Sequence, residues 1–163
     1  MKASRLLVLV IGLVCIAALS AAWVSQHLFG MQPCPWCVLQ RAIFGLIAIQ
    51  AFVAWWLVKR PWGLSAVSLV GLVTALAGAK AAHWQHFVAT QQSCVMTLAD
   101  RIISFFHLDT LWPGMFSATA SCADAAVRLL GLPYEFWSLG LFLVLALAWV
   151  LMIPLAWRSR SAS

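Results

Sequence analysis

The chain has 163 residues, of which 64% are hydrophobic and 9% are charged, against about 25% charged in an ordinary soluble domain. A soluble core of this size cannot hide that much apolar surface, so the solvent for most of the chain is lipid. The formal net charge of +6 forms no continuous basic stripe, which argues against a nucleic-acid partner and leaves membrane topology as the meaning of the charge.

Four stretches are long and apolar enough to span a bilayer: Leu6–Val24, Val38–Val58, Leu64–Ala82 and Phe136–Trp157. Each runs 19 to 22 residues, and a helix crossing the hydrocarbon core needs roughly 20. The expected fold is an all-α membrane protein, one unit over 1–163 built as a four-transmembrane-helix bundle, with no internal repeat. A short outer loop is expected at about 25–37 and a long one at about 83–135. The first span also resembles a signal peptide, with Lys2 and Arg5 in front and small residues at 17–22. Its 19-residue apolar run exceeds the roughly 7–15-residue core of such a peptide, so a retained anchor is expected. Arg41 and Lys80 are the only full charges within the spans. Both lie near span ends, where long side chains can snorkel.

Lys2 and Arg5 precede span one, Lys59 and Arg60 separate spans two and three, and Arg158 and Arg160 follow span four. Cytoplasmic termini put all six inside, as the positive-inside rule asks. Asp100, Asp109, Asp124, Glu135 and the four histidines then fall outside, together with Cys34, Cys37, Cys94 and Cys122. Outside a bacterial inner membrane is the periplasm, where thiols are oxidised and stay so. Cys15, in the middle of span one, is expected to be an inert packing residue.

In the segment Met31-Gln-Pro-Cys-Pro-Trp-Cys-Val38 the two cysteines are separated by two residues, a spacing common in redox proteins. Pro33 and Pro35 hold the backbone extended around Cys34. Cys37 opens span two, where unpaired amides and the helix dipole favour a thiolate. Arg41 follows one turn deeper on the same face and adds a fixed positive charge. Taken alone it reads as an interface anchor; beside a thiol pair at membrane depth it becomes a functional candidate.

Cys94 and Cys122 stand in the long outer loop with 27 residues between them. A lone pair of this kind is most often a structural disulfide, but its surroundings suggest mobility. The 117–121 stretch is small and polar, and Trp112-Pro113-Gly114 reads as a turn. Ser121-Cys-Ala-Asp124 fits a capping box that places Cys122 in the first turn of a short helix ending near Gly131 and Pro133, a position that favours an exchangeable thiolate. Between the cysteines, Leu98, Ile102 and Phe105 define an amphipathic helix, to lie on the bilayer surface or pack on the bundle top. His83 and His86 follow span three. His86 is the better candidate for a proton donor or hydrogen-bond partner to a quinone carbonyl.

With four spans, a Cys-x-x-Cys entering span two and a second cysteine pair between spans three and four, the chain resembles the DsbB family of disulfide bond formation proteins. Cys34-Pro-Trp-Cys-Val-Leu-Gln-Arg41 carries the most specific part of that resemblance, because arginine four residues after the second cysteine is a family hallmark. The resemblance implies a quinone-dependent protein-thiol oxidoreductase using ubiquinone or menaquinone. It implies that Cys34 and Cys37 form the quinone-facing pair, with Cys37 nearest the quinone and Arg41 helping to bind it. It further implies that a reduced thioredoxin-like partner of the DsbA type attacks Cys94, and that Cys122 then exchanges with Cys34. The histidine the family places near the quinone has two candidate positions here, His83 and His86, and Tyr134-Glu-Phe-Trp137 follows the usual pattern before the last span only loosely.

Three rival readings fit less well. A structural zinc site made by four cysteines usually combines two tight Cys-x2–4-Cys knuckles, and only one pair here is tight. A quinone-epoxide reductase of the vitamin K type carries its cysteine pairs in the reverse order. A non-catalytic membrane assembly factor would have no use for paired cysteines.

Overall fold

The structure, a computed structural model, describes residues 2–89, 97–125 and 127–161. Four helices are long and apolar enough to cross a membrane: α1 (Lys2–Leu28), α2 (Pro35–Leu57), α3 (Pro61–Ala89) and α7 (Tyr134–Ser161). They run 27, 23, 29 and 28 residues, longer than the apolar runs, because the helical hydrogen-bond ladder continues past the hydrocarbon edge until a cap or turn stops it. Proline begins both α2 and α3, at the first helical position, where its missing N–H costs nothing.

The helices alternate in direction. Arg5 lies over the Trp55 ring, 5.9 Å from its centroid, so the start of α1 neighbours the end of α2. Trp62 and Trp157 meet edge to face at 4.8 Å, and His86 reaches Glu135 at 2.7 Å, so α3 and α7 pair along their length. Two glycines allow that close approach. A Cβ on Gly71 would lie 2.4 Å from the Trp149 ring, and one on Gly78 would lie 2.4 Å from the Phe142 ring. Small residues let helix backbones approach in lipid, where packing rather than hydrophobicity holds the bundle together. Phe142 then stacks on Phe44 of α2 at 4.1 Å, and Cys15 is buried in the same core.

Between α3 and α7 lie α4 (Leu98–Phe105), α5 (Leu108–Leu111), α6 (Pro113–Phe116) and a hairpin of β1 (Arg128–Leu129) and β2 (Leu132–Pro133). Thr97 and Asp100 form a reciprocal capping box that starts α4. This helix buries Ala99 and Ile103 in a cluster with Trp36, Val38 and Leu39 of α2, leaving Leu98 and Phe105 exposed. Ile102, the middle residue of the expected stripe, packs partly against the same cluster, so the inward face combines Ala99, Ile102 and Ile103.

Two local expectations need correction. Trp112-Pro113-Gly114 is not a simple turn but the entry to α6, with Pro113 at its first helical position. The expected helix after Cys122 is a single turn. Ser121 and Asp124 do pair, Asp124 N to Ser121 Oγ at 3.2 Å and Ser121 Oγ to Asp124 Oδ2 at 2.6 Å, but the chain then enters the β1–β2 hairpin. Leu130 and Gly131 both have positive φ, 53° and 84°, the pattern of a tight two-residue hairpin turn.

Candidate functional site

The site is built on the first turn of α2. Pro33 and Pro35 flank Cys34, which holds an extended conformation (φ −83°, ψ 166°) and caps the helix, its sulfur accepting the Cys37 amide at 3.3 Å. This cap brings the Cys34 and Cys37 sulfurs to 2.9 Å. Cys34 is fully buried, while Cys37 is partly open.

A second chain segment is pinned to the same turn. The amides of Thr119 and Ala120 both donate to the Pro33 carbonyl, at 3.0 and 3.3 Å, and the Thr119 hydroxyl donates to the Gln32 side chain. The stretch expected to be mobile is therefore tethered. The tether delivers Cys122 to the site, where its sulfur hydrogen-bonds Cys34 and accepts the amide of Trp36. Cys34 is the middle sulfur of three, and the α2 N-terminus offers amides to two of them. The Cys34 thiol donating to Cys122 holds Cys122 below the ordinary thiol range, aided by the Trp36 amide and opposed by burial. Cys34 itself is pushed far up, first by that bond to Cys122, then by its bond to Cys37 and by burial. A poised thiolate thus stands beside the sulfur of a potential disulfide, as thiol–disulfide exchange requires.

Below the sulfurs lies a cavity of about 460 Å³. Its walls include Ala18, Ala21 and Ala22 of α1, Phe44 of α2, and Gly140 and Leu141 of α7, with Cys37, Gln40, Arg41, Gln85 and Tyr134 among its polar or reactive groups. Arg41 does not snorkel. It is buried, with Nη1 donating to Gln26 Oε1 at 2.6 Å and to the Met115 carbonyl at 3.0 Å, and Nη2 donating to the Ala22 carbonyl at 3.3 Å. It ties α1, α2 and α6 together while still lining the cavity. Two buried glutamines complete the wall: Gln40 Nε2 donates to Gln85 Oε1 at 2.6 Å, and Gln85 Nε2 donates to Cys37 Sγ at 3.3 Å.

The structure therefore brings Cys34, Cys37, Cys122 and Arg41 together. Cys94 lies outside the described residues. His86 does not line the cavity; it bonds Glu135, and its ring lies 4.9 Å from that of Phe136, which does line it. His83 is exposed.

A family model for "Disulfide bond formation protein DsbB" matches residues 4–152. The chain belongs to the DsbB family. Disulfide bond formation protein B of Nitrosomonas europaea is 33% identical over 98% of this chain and 96% of its own length. Disulfide bond formation protein B 1 of Pseudomonas fluorescens strain Pf-5 is 32% identical over 93% and 87%. Disulfide bond formation protein B of Herminiimonas arsenicoxydans is 28% identical over 99% and 100%. DsbB-family membership makes the chain a multi-pass membrane protein of disulfide bond formation, with the oxidoreductase character its cysteines suggest.

Sequence reasoning about this DsbB-family chain passed over Gln26, Gln40 and Gln85. The signal was present: each is an uncharged polar residue near the end of an otherwise apolar helix, where an unpaired amide is costly and a buried partner is expected. What the sequence does not carry is that the helix rotations aim Gln40 and Gln85 at one cavity and set Gln26 against the Arg41 guanidinium.

Proposed function

We propose that this protein re-oxidises a periplasmic thioredoxin-like dithiol of the DsbA type through two cysteine pairs and passes the two electrons to a membrane quinone. In this reading a thiolate of the partner attacks Cys94 of a Cys94–Cys122 disulfide, and the partner's second thiol then closes its own disulfide and releases the reduced pair. The Cys122 thiolate next attacks Cys34 of the Cys34–Cys37 disulfide. A Cys122–Cys34 bond forms, the Cys34–Cys37 bond breaks, and the electron pair leaves on Cys37, which faces the cavity. The observation that carries this reading is the position of the Cys34 sulfur, between Cys122 on the outer side and Cys37 on the cavity wall.

The cavity suits a quinone, whether ubiquinone or menaquinone. Its lining is largely apolar, as a prenylated ring requires. Arg41 spends three N–H groups on protein acceptors out of the five a guanidinium carries, which leaves donors for a carbonyl. A bound quinone would supply the two-electron acceptor. Arg41 would hold and orient its ring, while His86, hydrogen-bonded to Glu135, stands behind Phe136 and outside the cavity wall.

The distribution of basic residues supports a topology with both termini in the bacterial cytoplasm and the cysteine-bearing segments in the periplasm. A membrane-impermeant thiol reagent should then label reduced Cys122 and Cys94 in intact spheroplasts, and labelling only after permeabilisation would reverse the orientation. The function itself is tested by giving the purified protein a reduced thioredoxin-like partner and following quinone absorbance without oxygen. Oxidation of the partner with no stoichiometric quinone reduction would sink the reading.

A further inference from the structure

Positive charge beside Cys37 was expected to come from Arg41, and a charge acts across space. The hydrogen bond to the sulfur comes from elsewhere. Among the described residues, Gln85 is the side-chain N–H donor to Cys37 Sγ, at 3.3 Å, while the Arg41 guanidinium spends its near contacts on Gln26, Met115 and Ala22. The Gln40 contact is consistent with this orientation of the Gln85 amide. Its oxygen accepts from Gln40 Nε2 at 2.6 Å, so the NH2 end is the one turned to the sulfur. Both glutamines are only 4% exposed, and an amide in so dry a place holds its partner firmly because water offers no substitute. Gln40 is the residue before Arg41 on α2 and Gln85 is on α3, so the relay crosses between two helices to reach the one partly open sulfur of the cluster.

We propose that Gln85 is a catalytic hydrogen-bond donor that receives Cys37 as it leaves the Cys34–Cys37 disulfide, and that Gln40 is the positioning residue that aims it. This rests on the reading that Cys37 is the sulfur released by exchange at Cys34. When the Cys122 thiolate bonds to Cys34, the electron pair of the broken bond and its negative charge go to Cys37 Sγ. A neutral N–H donor already in place stabilises that charge without adding another ion to the membrane interior, and no rearrangement is needed at the moment of transfer. A carboxylate at the same position would oppose the charge.

The test uses the full-length reduced protein in lipid nanodiscs, with no quinone and no partner, so its failure is separable from failure of the proposed electron acceptor. The rate of Cys37 alkylation by iodoacetamide is read by site-resolved mass spectrometry. Gln85→Met keeps the shape and removes the donor, and should slow Cys37 near neutral pH by roughly tenfold or more, the usual weight of a hydrogen bond to a charged group. In strong alkali, where Cys37 is ionised in both proteins, the variant should match the wild type. Gln85→Glu should be slower still near neutrality. Gln40→Met should give a smaller loss, and the double variant should be no slower than Gln85→Met alone, because the two act in series. An unchanged neutral rate in Gln85→Met would overturn the proposal. So would a deficit that persists in alkali, since that reports blocked access or altered packing.

Discussion

Arg41 offers the sharpest test of how the cavity is used. It lies one turn below Cys37, buried, with hydrogen bonds to the Gln26 side chain and to the carbonyls of Met115 and Ala22. Of its five N–H groups, two remain for a ligand in the cavity. Arg41→Met keeps the apolar stem and removes every donor. If one charge-assisted hydrogen bond to a quinone carbonyl is lost, the cost is about 1.5–3 kcal/mol, or roughly a ten- to hundredfold rise in the apparent KM for quinone. Exchange between the partner and the Cys94–Cys122 pair should change little, because those sulfurs do not depend on the guanidinium. Arg41→Lys should recover only part of the loss, since a point charge cannot copy the planar fork that reaches Gln26 and Met115 together. Gln26→Met, which removes one anchor but leaves the charge, should fall between wild type and Arg41→Met. The assay is steady-state turnover across a quinone titration for all four proteins, with thermal unfolding to establish that each is folded. The same quinone dependence in wild type, Arg41→Met and Arg41→Lys would reduce Arg41 to a tie between α1, α2 and α6 and move the quinone elsewhere.

Other expectations are equally concrete. Serine at any one of Cys34, Cys37, Cys94 or Cys122 should abolish turnover, whereas Cys15→Ser, inside the α1 core, should leave it nearly intact; a reduced partner whose second thiol is replaced by serine should be trapped as a mixed disulfide on Cys94, with Cys122 released as the thiolate, and an adduct mapped to Cys34 would reverse the order of exchange. In the reduced protein the bond from Cys34 depresses Cys122 below the ordinary 9.0 and raises Cys34. Cys122 should therefore stay reactive to alkylation as pH falls toward neutrality while Cys34 goes silent, and the opposite order would refute the three-sulfur arrangement. Gly78→Leu should clash with the Phe142 ring and cost about 1–3 kcal/mol by overpacking, visible as a lower unfolding temperature that Phe142→Ala partly restores. An unchanged transition would mean that α3 and α7 pack less closely than described.

What the sequence determined by itself was the part of the fold that local chemistry controls. A bundle of four apolar helices follows from composition and run length, because an unbroken apolar run of roughly 20 residues satisfies its backbone groups in lipid by coiling into a helix. The Cys-x-x-Cys pair at a helix start follows from spacing and from Pro33 and Pro35, which leave the chain few other conformations, and Arg41 on the same face follows from helical periodicity. Residues far apart in the chain were beyond such reasoning. That Cys122 reaches Cys34 depends on the Thr119 and Ala120 amides finding the Pro33 carbonyl, and no local pattern announces that bond. The same holds for the segment after Cys122: the Ser121–Asp124 pair is a genuine helix-start signal, yet Leu130 and Gly131 in positive φ and the pairing of β1 with β2 turn the chain into a hairpin. Helix α4 presents Ala99 and Ile103 inward, with Ile102 partly against the same cluster, and leaves Leu98 and Phe105 of its stripe exposed, because the docking of α4 on α2 rather than its own periodicity sets the buried face. Most of all, the tertiary structure decided which donor meets Cys37. Periodicity puts a residue on a face but not opposite its partner, and it took the packing of α3 against α2 to set Gln85 within hydrogen-bonding distance of the sulfur.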